Sequence, residues 1–204
     1  MLDGWFPDTG QVTAMATMEP AGRTAFPHAP FTVDDLLKFP DDGNRYELFN
    51  GSLVVSPAPT PLHQDTIFLL QTILHQAVPS HLKVYSTVNV RVSDKDFYIP
   101  DLVVVPRATA KSVKLMFAPS DLLLAVEVVS PSTKLHDRGM KAAAYAAGIP
   151  AYWRIEPDEG PTLYVYEIDG DTYSGPTAHK AGTRATLSSP FPVSFDPADL
   201  IDVD

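Results

Sequence analysis

The sequence contains no cysteine, and this absence removes several classes of protein from consideration. Without thiols the chain has neither a disulfide framework nor a thiolate metal site. The 6 histidines show no zinc-binding spacing, so a structural zinc site is not expected. A cysteine-free composition fits a reducing compartment, and we expect the protein to be cytoplasmic.

Long apolar runs are also missing. The longest, residues 121–130 (DLLLAVEVVS), has the length of a strand and is interrupted by Glu127. A helix that crosses a bilayer needs about 20 apolar residues. The N-terminus has no basic region followed by an apolar core, so no secretion signal is predicted. We therefore expect no membrane partner.

Two common catalytic motifs are absent as well. The sequence has no glycine-rich phosphate loop of the P-loop or dinucleotide type. Ser130 does not lie in a Gly-x-Ser-x-Gly elbow, which gives no support to a serine hydrolase.

Basic residues are fewer than acidic ones: the chain has 15 Lys and Arg and 25 Asp and Glu, which gives a net charge of −10. A protein that coats DNA is normally basic, because neutralising phosphates supplies most of its affinity. A nuclease is still compatible with this balance, since a bound cation offsets acidic ligands and local basic clusters act where the total is unfavourable. Candidates for a local basic rim are Lys111, Lys114, Lys134 and Arg138.

The length of 204 residues suits one domain. Residues 1–30 show no helical or strand period and are punctuated by prolines, so they are predicted to form a tail. Residues 31–204 are predicted to form a single domain.

Hydrophobic periodicity and turn signals define the predicted elements. Thr32 is a candidate N-cap with Asp35 three residues later, and Asn50-Gly51 is typical of a type I′ hairpin turn. Predicted helices cover 33–39, 62–78 and 137–147, and predicted strands cover 46–49, 53–55, 83–92, 101–105, 122–129, 151–155, 162–168 and 172–174. The remainder is expected to be loop with at most one edge strand. The pattern predicts an α+β fold with one central sheet flanked by helices, preceded by an N-terminal helix and a β-hairpin.

Three charged residues lie in or beside apolar segments. Asp101 opens an apolar strand, Glu127 interrupts LLLAVEVV, and Lys141 lies on the helix that follows. Each has an ordinary interpretation: a strand-end cap, a glutamate paired with an internal Arg or Lys, and a solvated helix residue. Because a buried carboxylate needs a cation, a hydrogen-bond donor or a proton, the combination indicates a functional site.

Two carboxylates on neighbouring strands can share one hard divalent cation. Mg²⁺ binds a few carboxylate oxygens and keeps several waters, which leaves room for a substrate phosphate. The bound ion polarises a phosphoryl group and lowers the pKa of a bound water. A nearby lysine can hold that water or offset charge in the transition state.

The segments RYELFNG (45–51), IPDLVVV (99–105), EVVSPST (127–133), DRGMK (137–141) and YAAGIPAYW (145–153) resemble the Uma2 family. That family consists of restriction-endonuclease-like proteins of the PD-(D/E)xK nuclease superfamily. The resemblance runs from about residue 31 to residue 171 in the same order. It implies a restriction-endonuclease-like central mixed β-sheet for residues 31–204.

The resemblance also implies roles for individual residues. Asp101 matches the aspartate of the PD element, and Glu127 matches the acidic residue of the (D/E)xK element, so both would bind the metal. The chain departs from the superfamily pattern at Val129, where a lysine is expected. Lys141 would supply that lysine from the following helix, and Lys134 is the alternative.

Two further residues match the family less specifically. Glu47 corresponds to an additional acidic residue that would bind metal or orient its water, although a surface hairpin glutamate is an equal alternative. His63 resembles a family histidine near the start of the long helix. It would contact substrate phosphate together with Lys134, or else act as a helix cap.

These features together predict a Mg²⁺-dependent endonuclease that hydrolyses phosphodiester bonds in DNA, with Mn²⁺ as a substitute ion. A homodimer is expected, since two symmetric sites address two strands. Two alternatives remain open: a nucleic-acid-binding protein of nuclease fold with weak or lost catalysis, and a metal-dependent phosphodiesterase for small substrates. Tyr145, Tyr152 and Trp153 are interpreted as core aromatics.

Overall fold

The computed structural model describes residues 30–56, 58–130, 141–157 and 160–201. Within these ranges the helices are α1 (Val33–Leu36), α2 (Pro61–Ala77), α3 (Arg107–Ser112) and α4 (Lys141–Tyr145). The strands are β1 (Arg45–Phe49), β2 (Ser52–Ser56), β3 (Leu82–Ser86), β4 (Val90–Arg91), β5 (Phe97–Tyr98), β6 (Leu102–Pro106), β7 (Leu124–Val128), β8 (Ala151–Glu156), β9 (Thr162–Asp169), β10 (Thr172–Tyr173), β11 (Thr177–Lys180), β12 (Ala185–Leu187) and β13 (Val193–Phe195).

The central sheet has seven strands. Six of them follow the order β10-β9-β8-β7-β6-β3, and β11 pairs with β9. Strands β7 and β8 are parallel, with α4 lying between them in the chain, whereas the other pairs are antiparallel. The predicted mixed sheet and the α+β class are confirmed.

The two faces of this sheet are covered by different elements. Since side chains alternate along a strand, even-numbered residues of β6 and β7 point to one face and odd-numbered residues to the other. The even face packs on Leu70 and Leu74 of α2. The odd face packs on Tyr145 and Ile149, at and just beyond the end of α4. Both faces are therefore buried, which explains why β6 and β7 are nearly continuous apolar runs.

A smaller sheet with the order β2-β1-β5-β4 lies beside the odd face. The β1–β2 hairpin turns at Asn50 and Gly51, with φ of 47° and 76°, as the Asn-Gly pair predicts. Before it, Thr32 and Asp35 form the predicted capping box of α1. Phe31, Val33 and Leu48 are buried together in a third apolar cluster.

Several predicted boundaries are wrong. The strand predicted at 83–92 is two strands, β3 and β4, because Thr87 between them has a φ of 56°. Helix α3 and strand β5 were not predicted, and the region after residue 174 contains three strands instead of one at most. The first part of the helix predicted at 137–147 lies outside the described residues. No helix in the described ranges is long and apolar enough to cross a membrane.

Candidate functional site

Five of the predicted site residues lie together at one end of the central sheet. Asp101 precedes β6, Glu127 is on β7, Glu47 is on β1, His63 is on α2 and Lys141 begins α4. Each is at most 7% exposed, although all five are polar or charged. Contacts among these side chains connect all three carboxylates to a basic partner. The sixth candidate, Lys134, lies outside the described residues.

Asp101 and Glu127 are placed by strand pairing. Leu102 of β6 pairs with Val126 of β7. Continuing this antiparallel register by one residue places Asp101 opposite Glu127. The backbone N–H of Val128 donates to Asp101 Oδ2 at 2.8 Å, which holds the carboxylate over the end of β7.

Two basic side chains also contact Asp101. His63 Nε2 lies 3.3 Å from Oδ2, and Arg45 Nη1 lies 3.5 Å from Oδ1. Burial alone raises the pKa of Asp101, but the hydrogen bond and charge of His63, the charge of Lys141 and the Val128 N–H lower it by more. The net effect is a pKa below the usual range, so Asp101 is an anion at neutral pH.

Glu127 is bound from α4. Lys141 Nζ lies 3.0 Å from Glu127 Oε1, and the Tyr145 hydroxyl donates to the same oxygen at 2.6 Å. The two donors are four residues apart, which places them on one face of the helix. Burial and the negative charges of Glu127 and Glu47 raise the pKa of Tyr145 well above its usual value, so its hydroxyl keeps its proton and donates.

Glu47 brings the small sheet into the site. Its Oε1 accepts from the backbone N–H of Ile99 at 2.9 Å and lies 3.3 Å from Lys141 Nζ. The Lys141 ammonium therefore bridges two buried carboxylates from different sheets. The alternative interpretation of Glu47 as an exposed hairpin residue is wrong, since the residue is only 4% exposed.

The two ring nitrogens of His63 differ in their contacts. Nε2 faces Asp101, whereas the buried Nδ1 has no hydrogen-bond partner among the described residues. The helix cap is Thr60, whose hydroxyl accepts from the His63 backbone N–H, so His63 itself is not the cap. Its imidazole is available for chemistry at Asp101.

Two site residues were not recognised from the sequence. Arg45 stands in the segment RYELFNG without an assigned role, yet its position two residues before Glu47 on one strand predicts a shared face. Its side chain is 28% exposed, so it forms part of the rim of the site. Tyr145 was interpreted as a core aromatic. It is fully buried, as expected, but its spacing from Lys141 was the missed signal.

Two of the four residues predicted to form a basic rim lie in the described part of the chain. Lys111 and Lys114 are exposed and lie on or just after α3. Lys134 and Arg138 lie outside the described residues.

The donor chemistry fits a hard divalent cation with few protein ligands. No three His, Asp or Glu side chains in the described part of the chain are grouped closely enough to hold a metal ion. Mg²⁺ does not require three, because it is commonly bound by one or two carboxylates, several waters and substrate phosphates. Asp101 and Glu127, on adjoining strands, meet that requirement. The place between Glu127 and Glu47 is suited to positive charge, since the Lys141 ammonium lies there.

Comparisons with known proteins agree with this fold. Residues 33–203 match the family model Uma2, described as "Putative restriction endonuclease". A similar solved structure is that of a protein from Anabaena variabilis described as a "putative nuclease belonging to DUF820". The two sequences are 19% identical, and the match covers 84% of this chain and 97% of the Anabaena variabilis chain. The TM-score of 0.71 shows that the two proteins share a fold. No curated protein matches the chain. The family model covers most of the sequence, and this chain belongs to the Uma2 family of restriction-endonuclease-like proteins.

Proposed function

We propose that the protein is a Mg²⁺-dependent endonuclease that hydrolyses phosphodiester bonds in DNA, with Mn²⁺ able to replace Mg²⁺. The single observation that carries this proposal is the buried group of Asp101, Glu127 and Lys141 at the ends of two paired strands. Burying three charges is costly, and a structural pair alone does not require a second carboxylate beside it. Two carboxylates with a lysine beside them are the side chains that Mg²⁺-dependent phosphodiester hydrolysis would use.

The proposed roles follow from the contacts. Asp101 and Glu127 hold the ion, and Glu47 assists them. When bound, Mg²⁺ polarises the phosphate and lowers the pKa of a water ligand. Lys141, held at 3.0 Å from Glu127, positions the attacking water or offsets charge in the transition state.

The rim residues are suited to bind substrate. The Arg45 guanidinium is partly exposed and lies next to Asp101, so it is placed to bind a phosphate oxygen near the ion. His63 is placed to contact the leaving oxygen through its imidazole. We also propose a homodimer, because double-strand cleavage is most simply performed by two symmetric sites.

Cleavage assays with purified variants test the assignment. Asp101→Asn and Glu127→Gln each keep the side-chain shape but remove a metal-binding charge, and we expect both to abolish Mg²⁺-dependent cleavage of plasmid DNA. Asp65→Asn on α2 and Glu167→Gln on β9 are matched controls, since both residues are exposed. Cleavage by either site variant at the rate of its control would refute the proposal.

One observation favours a second candidate function. The Lys141 ammonium bridges Glu47 and Glu127 in the place of a metal ion, and the net charge of −10 opposes tight DNA binding. A nuclease-fold protein that binds nucleic acid without turnover has these properties. Calorimetry with Mg²⁺ and DNA together with plasmid nicking distinguishes the two candidates, because binding without nicking supports only the second. Small phosphodiesters assayed in parallel reveal whether the substrate is smaller than DNA.

A further inference from the structure

We propose that a cavity beside Asp101 binds one unpaired nucleobase of the substrate strand. This inference rests on the proposed nuclease function and narrows its substrate to nucleic acid with a base out of the stack. The cavity lies between β3, the loop that follows it, and the segment after α3. None of its lining residues belongs to the group of five described above.

The cavity adjoins the candidate active site. Thr87, on its wall, donates its backbone N–H to the backbone carbonyl of Asp101 at 3.2 Å. Thr87 has a φ of 56°, a conformation that is uncommon for a β-branched residue. This turn ends β3 and places the following loop over the cavity. A strand whose phosphate is bound at Asp101 therefore has an adjacent base within reach of the cavity.

The size of the cavity excludes a double helix. Its volume is about 330 Å³, at the lower end of the range for small-ligand sites. That space suits a single base or nucleoside. A base enters such a site only when it is unpaired or rotated out of the duplex.

The wall chemistry suits a base. Tyr85 and Phe117 supply aromatic surface, and the Asn89 side chain supplies amide hydrogen-bonding groups. Asn89 Nδ2 donates to the Leu115 carbonyl at 3.3 Å, which fixes the orientation of the amide. Leu115, which is 59% exposed, adds apolar surface to the wall. Aromatic walls with one amide are typical of base-binding sites.

The charge around the cavity differs from that of the rest of the protein. The two segments that line the cavity, residues 82–93 and 106–120, contain no Asp or Glu, although the whole chain has 25. Their basic residues are Lys83, Arg91, Arg107, Lys111 and Lys114. Arg91 is paired with Asp34 and Asp94, whereas the other four have no ion-pair partner among the described residues and can attract phosphate. Lys83 Nζ lies 5.3 Å from the Tyr85 ring centroid, and Lys114 lines the cavity itself.

Fluorescence anisotropy with a labelled single strand and the matched duplex tests the proposal. Ca²⁺ replaces Mg²⁺ so that the probes stay intact. We expect the single strand to bind more tightly than the duplex. Tyr85→Leu should weaken single-strand binding about tenfold by removing the stacking ring. Lys114→Gln should lower the slope of log affinity against log salt by about one.

Matched controls separate local from general effects. Phe68→Leu changes an aromatic that is 67% exposed on α2, and Lys180→Gln changes an exposed lysine on β11, so both should bind like wild type. Lys114 is exposed, so its variant should fold even if Tyr85→Leu is unstable. The base site is overturned if Tyr85→Leu folds and binds like wild type, or if the duplex binds as tightly as the single strand.

Photocrosslinking gives an independent measurement. A single strand containing 5-iodouracil is irradiated with wild-type protein and digested with trypsin. Cleavage after Lys83 and Arg91 releases residues 84–91, which contain Tyr85, Thr87 and Asn89. We expect the crosslink in this peptide, and a crosslink confined to other peptides overturns the proposal. If the protein cleaves DNA but fails these tests, only the base site is wrong; if it neither binds nor cleaves, both proposals fail.

Discussion

At the scale of single residues, the site is organised around one ammonium group. Lys141 Nζ is within 3.3 Å of Glu47 and 3.0 Å of Glu127, and all three side chains are buried. Removing the Lys141 ammonium group leaves the buried carboxylates of Glu47 and Glu127 without a compensating positive charge. Such an uncompensated charge costs more than the pair itself contributes.

Lys141→Met tests this arrangement through stability. The methionine side chain fills similar space without charge, and we expect the free energy of unfolding to fall by about 3–5 kcal/mol. Chemical denaturation in EDTA measures the change. Mg²⁺ should recover part of the loss if a divalent ion can offset the exposed carboxylate charge.

Lys180→Met is the matched control for this substitution, because Lys180 is exposed on β11. Its stability should stay within about 0.5 kcal/mol of wild type. Equal stability of the Lys141 variant and the control would show that the bridge contributes nothing.

The sequence predicts the acidic half of the site better than its basic half. Asp101 and Glu127 are recognisable because a charge in an apolar strand needs a partner. Lys141 is preferred to Lys134 because it lies one turn of the predicted helix after Asp137, so both could face the site, and only Lys141 lies in the described residues. The sequence around Arg45 and Tyr145 shows no unusual pattern. Their roles depend on contacts with residues far away in the sequence: Tyr145 contacts Glu127, 18 residues away, and Arg45 contacts Asp101, 56 residues away.

At the scale of elements, the β1–β2 hairpin determines where Glu47 lies. Its turn packs closely on the start of the domain: the Phe31 N–H donates to the Gly51 carbonyl, and the Gly51 N–H donates to the Lys95 carbonyl, each at 2.8 Å. A Cβ on Gly51 would lie 2.6 Å from the Pro30 Cβ. Glycine is therefore required at position 51 for two reasons: the positive φ angle, and the lack of room for a Cβ beside Pro30.

Gly51→Ala and Gly43→Ala separate these two requirements. Both glycines have a positive φ, 76° and 80°, but a Cβ on Gly43 meets nothing within 4 Å. We expect Gly43→Ala to cost about 1–2 kcal/mol from backbone strain alone. Gly51→Ala should cost about 1–3 kcal/mol more, because Pro30 must move. Thermal and urea unfolding measure both, and equal losses would show that the contact with Pro30 is unimportant.

Long periodic elements were predicted well, and short ones were not. Helix α2 agrees with its prediction to one residue at each end, because its apolar spacing continues over four turns. Strand β5 has two residues and α3 has six, too few for a period to emerge. The break at Thr87 arises from a backbone conformation that its residue type does not favour, so tertiary contacts determine it.

At the scale of the whole molecule, charge is unevenly distributed. A net charge of −10 repels nucleic acid, whereas residues 82–93 and 106–120, which line the proposed base site, include five basic residues and no acidic one. The electrostatic attraction of the protein for a nucleic-acid strand therefore acts over a short range and depends on a few basic residues. Composition alone predicted weak DNA affinity, but it did not reveal this segregation, which becomes visible only when the two segments meet in the sheet.

The salt dependence of binding measures how many cations take part. Four basic residues around the cavity have no ion-pair partner in the described part of the chain, and they predict a slope of log affinity against log salt of about −3 or shallower for a single strand. Anisotropy titrations across a range of KCl concentrations give the slope. A value steeper than roughly −6 would require a phosphate-binding surface larger than the one proposed.

The carboxylates of the site belong to two different sheets. Glu47 comes from the small sheet, whereas Glu127 comes from the large one, and Asp101 lies just before its strand β6. The apolar cluster around Leu48 and Phe97 holds the small sheet in place. A substitution that loosens this cluster would separate the charged groups without touching any of them. Inherited variation or engineering in that neighbouring apolar cluster would thus alter the proposed activity while leaving every charged side chain of the site unchanged.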